Sequence, residues 1–175
     1  MLINVYQRFI HMILKQIAEL DRAKFTAAVG WVFEQSPWVA ERTWDYRPFP
    51  VLESLHATMV AQVNRASKME QLALIRAHPD LGARAKMTEA SVGEQAGVGL
   101  DSLSPDEYKR LTDLNNAYRA KFGFPFIYAV KGSTKHDIMN ALEQRLKDDP
   151  EKEFHEALGQ IYRIARFRLM DSIKG

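Results

Sequence analysis

The residues best suited to chemistry lie in two short polar runs and one basic run. His78-Pro79-Asp80-Leu81-Gly82 is followed closely by Ser91-Val92-Gly93-Glu94-Gln95, and Arg163-Ile164-Ala165-Arg166-Phe167-Arg168 comes far downstream. Together they offer an imidazole that titrates near neutrality, a carboxylate acceptor, a carboxamide that both donates and accepts, and a guanidinium that binds anions. Such a set suits acid–base chemistry on a small anionic substrate.

Each group also has a plainer reading. His78 precedes a proline, which disfavours helical geometry at its own position. It is either a proton-transfer group in a loop or an imidazolium cap at a helix C-terminus. His11, His56, His136 and His155 lie in helical patterns and read as surface or half-buried residues. Ser91-Val92-Gly93-Glu94 has the form of a capping box, as do Ser67 to Glu70 and Ser104 to Glu107. A helix N-terminus also presents free N–H groups that favour anions, so a cap and a ligand site are compatible there.

The C-terminal helix separates its arginines. At about 100° per residue, Phe154, Leu158, Ile161, Ala165 and Leu169 fall within about 60° of one direction. Arg168 lies about 40° from Phe154 inside that apolar arc, whereas Arg166 and Arg163 point about 120° and about 180° away. A buried arginine needs a core carboxylate or a polar cavity, so Arg168 is either a structural ion pair or a ligand-binding group. No metal site is expected, because His78 and Asp80 lack a second histidine at helical spacing. Neither a glycine-rich phosphate loop nor a Gly-x-Ser-x-Gly elbow is present in the sequence.

The elements that must position these groups are helical almost throughout. Asp21 caps an expected helix from Arg22 to Phe33, and Ser36-Pro37 combines a cap with a proline at the first helical position. A helix with Leu52, Leu55, Met59, Val60 and Val63 on one face follows Phe49-Pro50. Ser67 leads into a helix ending near Ala77. Ser104 leads into one ending near Phe122, with Gly123 past its end. Ser133 or Thr134 opens a helix ending near Asp149-Pro150, and a long terminal helix completes the chain. Met1 to Leu20 reads as an amphipathic helix. Phe124 to Val130 alone has strand-like content and is too short for a sheet; Trp31, Trp38, Trp44, Phe33 and Phe49 read as core aromatics. The expectation is an all-α, bundle-like, single compact domain of seven to nine helices.

Composition narrows the function classes. At 175 residues, with 46% apolar and 26% charged residues, the chain can bury a real core. A net charge of +2, from 24 basic and 22 acidic residues, lacks the basic field of a nucleic-acid binder. There is no cysteine, which removes disulfides and thiolate chemistry and fits a reducing compartment. No apolar run approaches the roughly 20 residues that span a bilayer, and neither terminus carries a recognisable address, so the expected location is the cytoplasm. A helical scaffold that docks a partner through Met1 to Leu20 would explain the helices. It leaves unexplained the concentration of His78, Glu94, Gln95 and an inward Arg168.

These motifs resemble the 2-oxo-4-hydroxy-4-carboxy-5-ureidoimidazoline (OHCU) decarboxylases of urate degradation. The resemblance runs from about residue 18. It rests on Phe33-Glu34-Gln35-Ser36-Pro37-Trp38, Arg47-Pro48-Phe49, His78 to Gly82, Ser91 to Gln95, Leu114-Asn115, Phe122-Gly123-Phe124-Pro125-Phe126-Ile127 and Arg163 to Leu169. Val98-Gly99-Leu100 stands where the family commonly has Ala-Gly-Leu. The implied organisation is an N-terminal extension over 1–17 and the decarboxylase domain over 18–175. The resemblance implies that His78 donates the proton, that Pro79 lines the pocket, and that Ser91, Val92, Gly93, Glu94 and Gln95 bind substrate. It further implies contacts from Phe126, Ile127, Tyr128, Ala129 and Val130, partly through backbone, and a functional Arg168. Glu94 either holds the ureido group or orients His78. No cofactor is implied, because the substrate's own carbon–nitrogen double bond accepts the electrons left by CO2. Single-face protonation would give (S)-allantoin. A homodimer and an association with urate oxidase, covalent or in the pathway, are also implied, with no nucleic-acid or membrane partner.

Overall fold

A computed structural model describes residues 12–83 and 89–174, and its architecture is all-α. Nine α-helices lie among the described residues: α1 (Leu14–Ala18), α2 (Arg22–Val29), α3 (Trp38–Thr43), α4 (Leu52–Arg65), α5 (Lys68–Ala77), α6 (Glu89–Ala96), α7 (Pro105–Phe122), α8 (Lys135–Arg145) and α9 (Pro150–Ser172). The one strand pairing among them is a two-residue parallel bridge of Met12–Ile13 with Ile173–Lys174. The expected Met1–Leu20 helix therefore appears only as α1. Its first eleven residues lie outside the described ones.

The helices group into two compact units, Met1–Ala77 with Tyr162–Gly175, and His78–Ile161. In the first, Phe25, Phe33, Val39, Leu55, Met59 and Leu74 are wholly or almost wholly buried. Asp21 caps α2 by accepting from the Lys24 amide at 2.8 Å. That helix stops at Val29 rather than Phe33, and a 3-10 turn over Gly30–Val32 carries the chain on. A Cβ on Gly30 would stand 3.4 Å from Pro37 Cβ, in contact with the next segment. The expected cap at Ser36 is also absent. Gln35 takes a positive φ of 45° and the Ser36 hydroxyl donates to the Glu34 carbonyl at 2.9 Å, so it is not aimed at α3. The guanidinium groups of Arg22 and Arg47 lie over the Trp44 ring, 4.6 Å and 3.6 Å from its centroid.

In the second unit, Leu111, Tyr118, Phe126, Ile138, Leu142 and Ala157 are almost wholly buried. Ser104 caps α7, with its hydroxyl accepting from the Glu107 amide and Glu107 accepting from the Ser104 amide at 2.9 Å. Thr134 and Asp137 make the same reciprocal pair at α8. That helix ends at Arg145, short of Asp149, which instead caps α9 by accepting from the Lys152 amide at 3.0 Å. The segment from Phe124 to Val130 forms no strand and is nonetheless buried, apart from a half-buried Tyr128.

Two of the capping carboxylates also set an acid limit on stability. The Arg42 guanidinium, then the Ser67 amide and hydroxyl, hold Glu70 down at about 2, and Lys135, then the Ser104 amide, hold Glu107 at about 2. Both folded values lie below the ordinary 4.5, so the stabilisation is complete above that pH and is lost as pH falls toward 2. Glu70→Ala and Glu107→Ala are expected to lower Tm at neutral pH. They should also flatten its decline between pH about 4.5 and about 2, as read by thermal melts across that range. An acid limb as steep as the parent's would show that these carboxylates are not what acid removes.

Candidate active site

His78 follows the last turn of α5 and is buried, with 7% of its surface exposed. The loop that carries it is fastened at three consecutive residues by side chains of its own unit. The Asp80 carboxylate accepts from Arg119 at 2.9 Å, the Leu81 carbonyl from the Asn115 amide at 2.8 Å, and the Gly82 amide donates to Gln95 Oε1 at 2.8 Å. Asn115 and Arg119 are one turn apart on α7, so one helix face holds two of the fastenings. Leu111, a turn earlier, packs over the loop. A Cβ on Gly82 would lie 2.6 Å from its Cδ2, and Gly82 has a φ of +75° that side chains resist.

Gln95 is buried on α6, so the helix that bears the second polar run is bonded directly to the histidine loop. Helix α6 begins at Glu89, two residues before Ser91. Ser91 is therefore not the cap of a Ser-x-x-Glu box; it lies in the first turn, and its side chain is outside the described ones. Ser91 and Val92 lie near the start of the described part of α6. Val92 and Gly93 are exposed, and Glu94 and Pro79 are half-buried.

Phe126, Ile127, Ala129 and Val130 are buried as whole residues. Side chains hold their backbone. Arg145 Nη1 donates to the Ile127 carbonyl at 2.7 Å and Gln160 Oε1 accepts from the Ala129 amide at 2.9 Å. Arg145 is itself held by Glu153, which also accepts from the Tyr118 hydroxyl. Burial first, and the Glu153 carboxylate second, push the Tyr118 phenol well above its ordinary value.

Arg168 is 4% exposed, whereas Arg163 and Arg166 are exposed, in the order the helical wheel gives. Arg168 Nη2 donates to Glu34 Oε2 at 3.0 Å and Nη1 to the Val32 carbonyl at 3.3 Å. The core carboxylate that a buried arginine requires is thus Glu34, inside the Phe33–Trp38 motif. Sequence reading assigned Glu34 no role, and nothing in its own surroundings in the sequence marks it. Arg145 and Glu153 were also missed, although a wheel would have found them. Arg145 continues the buried Ile138–Leu142 row of α8, and Glu153 adjoins Phe154 on α9.

An all-α chain that pins a buried histidine loop to a helix with a carboxylate and a carboxamide is equipped as an acid–base enzyme. A family model for OHCU decarboxylase matches residues 18–170, and the chain belongs to that family of carboxy-lyases. It is 46% identical over 156 residues to the OHCU decarboxylase of Halalkalicoccus jeotgali, covering 89% of each chain. It is 46% identical over 160 residues to the uric acid degradation bifunctional protein PucL of Bacillus subtilis, where the match takes in 91% of this chain and 32% of that protein. Among solved structures it is similar to an (S)-allantoin synthase, with a TM-score of 0.78 at 35% identity, over 93% of this chain and 54% of the other.

The Gly82–Gln95 bond is open to a direct test. Gln95→Ala leaves a buried amide without an acceptor and should cost about 1–3 kcal/mol, while Gln95→Glu keeps an acceptor at that place and should cost less. Urea denaturation measures both; equal losses would mean that Gln95 stabilises by packing alone.

Proposed function

We propose that this chain decarboxylates OHCU to (S)-allantoin, with His78 delivering the proton that fixes the configuration. The observation that carries this reading is the bond from the Gly82 amide to Gln95 Oε1, which ties the histidine loop to the Ser91–Gln95 helix. In the reaction the bond between the ring and its carboxylate breaks and CO2 departs. The electron pair forms a double bond to the ring carbon bearing the ureido group, and the pair of the carbon–nitrogen double bond moves onto nitrogen, which takes a proton. The ring hydroxyl then gives up its proton as its carbon becomes a carbonyl, and a proton reaches the carbon bearing the ureido group. Water would protonate either face; an imidazole fixed on one face gives one enantiomer.

The other groups take the remaining roles in this reading. Pro79 lines the pocket beside His78. Ser91, Val92 and Gly93, near the start of the described part of α6, receive negative charge on the substrate. Glu94 takes the ureido N–H groups or orients His78. Gln95 commits its oxygen to Gly82, so its amide nitrogen is the part that reads a ring carbonyl. Phe126 to Val130 contribute backbone. Arg168, oriented by Glu34, binds the leaving carboxylate or a carbonyl oxygen and stabilises charge as it develops. We further infer a homodimer at work in the cytoplasm beside a urate oxidase. The bifunctional relative supports that last association.

His78→Asn should lower the rate by about 10²–10⁴-fold with little change in Tm. Whatever allantoin still forms should be racemic, as followed by ultraviolet absorbance and circular dichroism. Optically active product at a normal rate from this variant would remove His78 as the donor. Arg168→Lys should lower both Tm and kcat/KM, since an ammonium cannot replace a guanidinium that bonds a carboxylate and a carbonyl together. Arg163→Lys and Arg166→Lys should change neither. A loss of Tm without any loss of kcat/KM in the folded Arg168→Lys would reduce Arg168 to a structural partner of Glu34.

A further inference from the structure

The segment from Phe124 to Val130 poses an accounting problem that its own sequence does not solve. It is buried and makes no strand pairing among the described residues, so its backbone groups need other partners. Two are supplied by side chains from different helices. Arg145 of α8 donates to the Ile127 carbonyl and Gln160 of α9 accepts from the Ala129 amide. Gln160 is set in turn by Glu156, which accepts from its Nε2 at 2.7 Å.

Arg145 is an expensive residue for this task. It is 9% exposed and its partner Glu153 is fully buried, and an apolar pair of similar volume would commonly be no less stable. What the ion pair adds is orientation. Nε and Nη2 of Arg145 both donate to Glu153 Oε1, Nη1 reaches Ile127, and the guanidinium carbon sits 4.5 Å from the centroid of the Phe126 ring. Every edge of the fork, and its face, therefore bears on where residues 126 and 127 lie. Glu153 is loaded on one side: Oε1 also accepts from Tyr118, while Oε2 has no hydrogen-bond partner. That arrangement fixes the guanidinium at the expense of satisfying the carboxylate.

We propose that Arg145 and Gln160 are positioning residues that hold the Phe126–Val130 backbone in the geometry that reads the substrate, with Glu153 fixing Arg145. This rests on the reading that the segment binds substrate. The device is shared with the histidine loop through α7, because Leu111, Asn115 and Tyr118 lie along it. Asn115 bonds the loop and Tyr118 bonds the carboxylate that sets Arg145.

The test uses Arg145→Lys and Gln160→Leu, with Ile138→Ala as a core truncation on α8 that touches none of these bonds. Kinetics are measured well below each variant's Tm, and amide hydrogen exchange over 126–130 is followed with and without allantoin. The expected result is a rise in KM of about tenfold or more for both positioning variants, with kcat less affected. Their allantoin-dependent protection of 126–130 should weaken, whereas Ile138→Ala should lower Tm and leave KM as it was. Normal KM and normal protection in Gln160→Leu would overturn the proposal even if Arg145→Lys fails to fold. Absence of allantoin-dependent protection at 126–130 in the parent protein would overturn the underlying reading of the segment, and the proposal with it. Protection in the parent that persists unchanged in folded variants would overturn the proposal alone.

Discussion

A charge withdrawn from water must meet an opposite charge or be neutralised, and α9 carries one such charge near each end of its buried face. Glu153 near its start and Arg168 near its finish are both almost fully enclosed, within a row whose other members are Phe154, Leu158, Ile161, Ala165 and Leu169. Removing one member of a buried pair typically costs about 3–5 kcal/mol, so each of these residues fixes what its unit must place opposite it. Arg145 meets Glu153 and Glu34 meets Arg168. From the first pair follows the course of Phe126 to Val130. From the second follows the shape of the Phe33–Trp38 turn, with its left-handed Gln35 and its inward Ser36 hydroxyl.

The His78 loop obeys the same logic with neutral groups. A loop that contains a proline and a left-handed glycine has no regular ladder to occupy its polar atoms. Here Asn115 and Gln95 stand in for one, and Arg119 holds the carboxylate between them and the histidine. Proton delivery to one face of a small ring demands an imidazole whose position varies by fractions of an ångström. The fastening of three consecutive loop residues would meet the demand that the proposed role of His78 makes. Flexibility at the chemical group is limited by bonds made next to it, not by the group itself.

Much of this was legible in the sequence where a single periodicity or a capping pattern decides the matter. The α9 stripe, the inward Arg168, the boxes at Ser67 and Ser104, and Gly123 past α7 all follow from local rules, and the all-α class follows from their sum. The failures are equally local in cause. Ser91-x-x-Glu94 matches a capping box in residue types, yet Ser91 already lies within α6, because the pattern gives no weight to what precedes it. Ser36 looks like a cap, but a backbone reversal at Gln35 turns its hydroxyl to Glu34. Partners were beyond reach altogether. A buried arginine announces that it needs a carboxylate without saying which one, and Glu34 lies 134 residues away from Arg168.

The Tyr118 phenol carries a consequence at the opposite end of the pH scale from the capping carboxylates. Once the chain unfolds, Tyr118 ionises near the ordinary phenol value of about 10, while in the folded state burial and Glu153 keep its proton in place far beyond that. Above about pH 10 the unfolded chain therefore sheds a proton that the folded chain retains, and alkali draws the equilibrium toward unfolding. Tyr162, pushed up to about 12 by burial, acts in the same direction. The hydroxyl that steadies the Glu153 cluster thus weakens the fold's resistance to strong base, where both rings ionise only on unfolding.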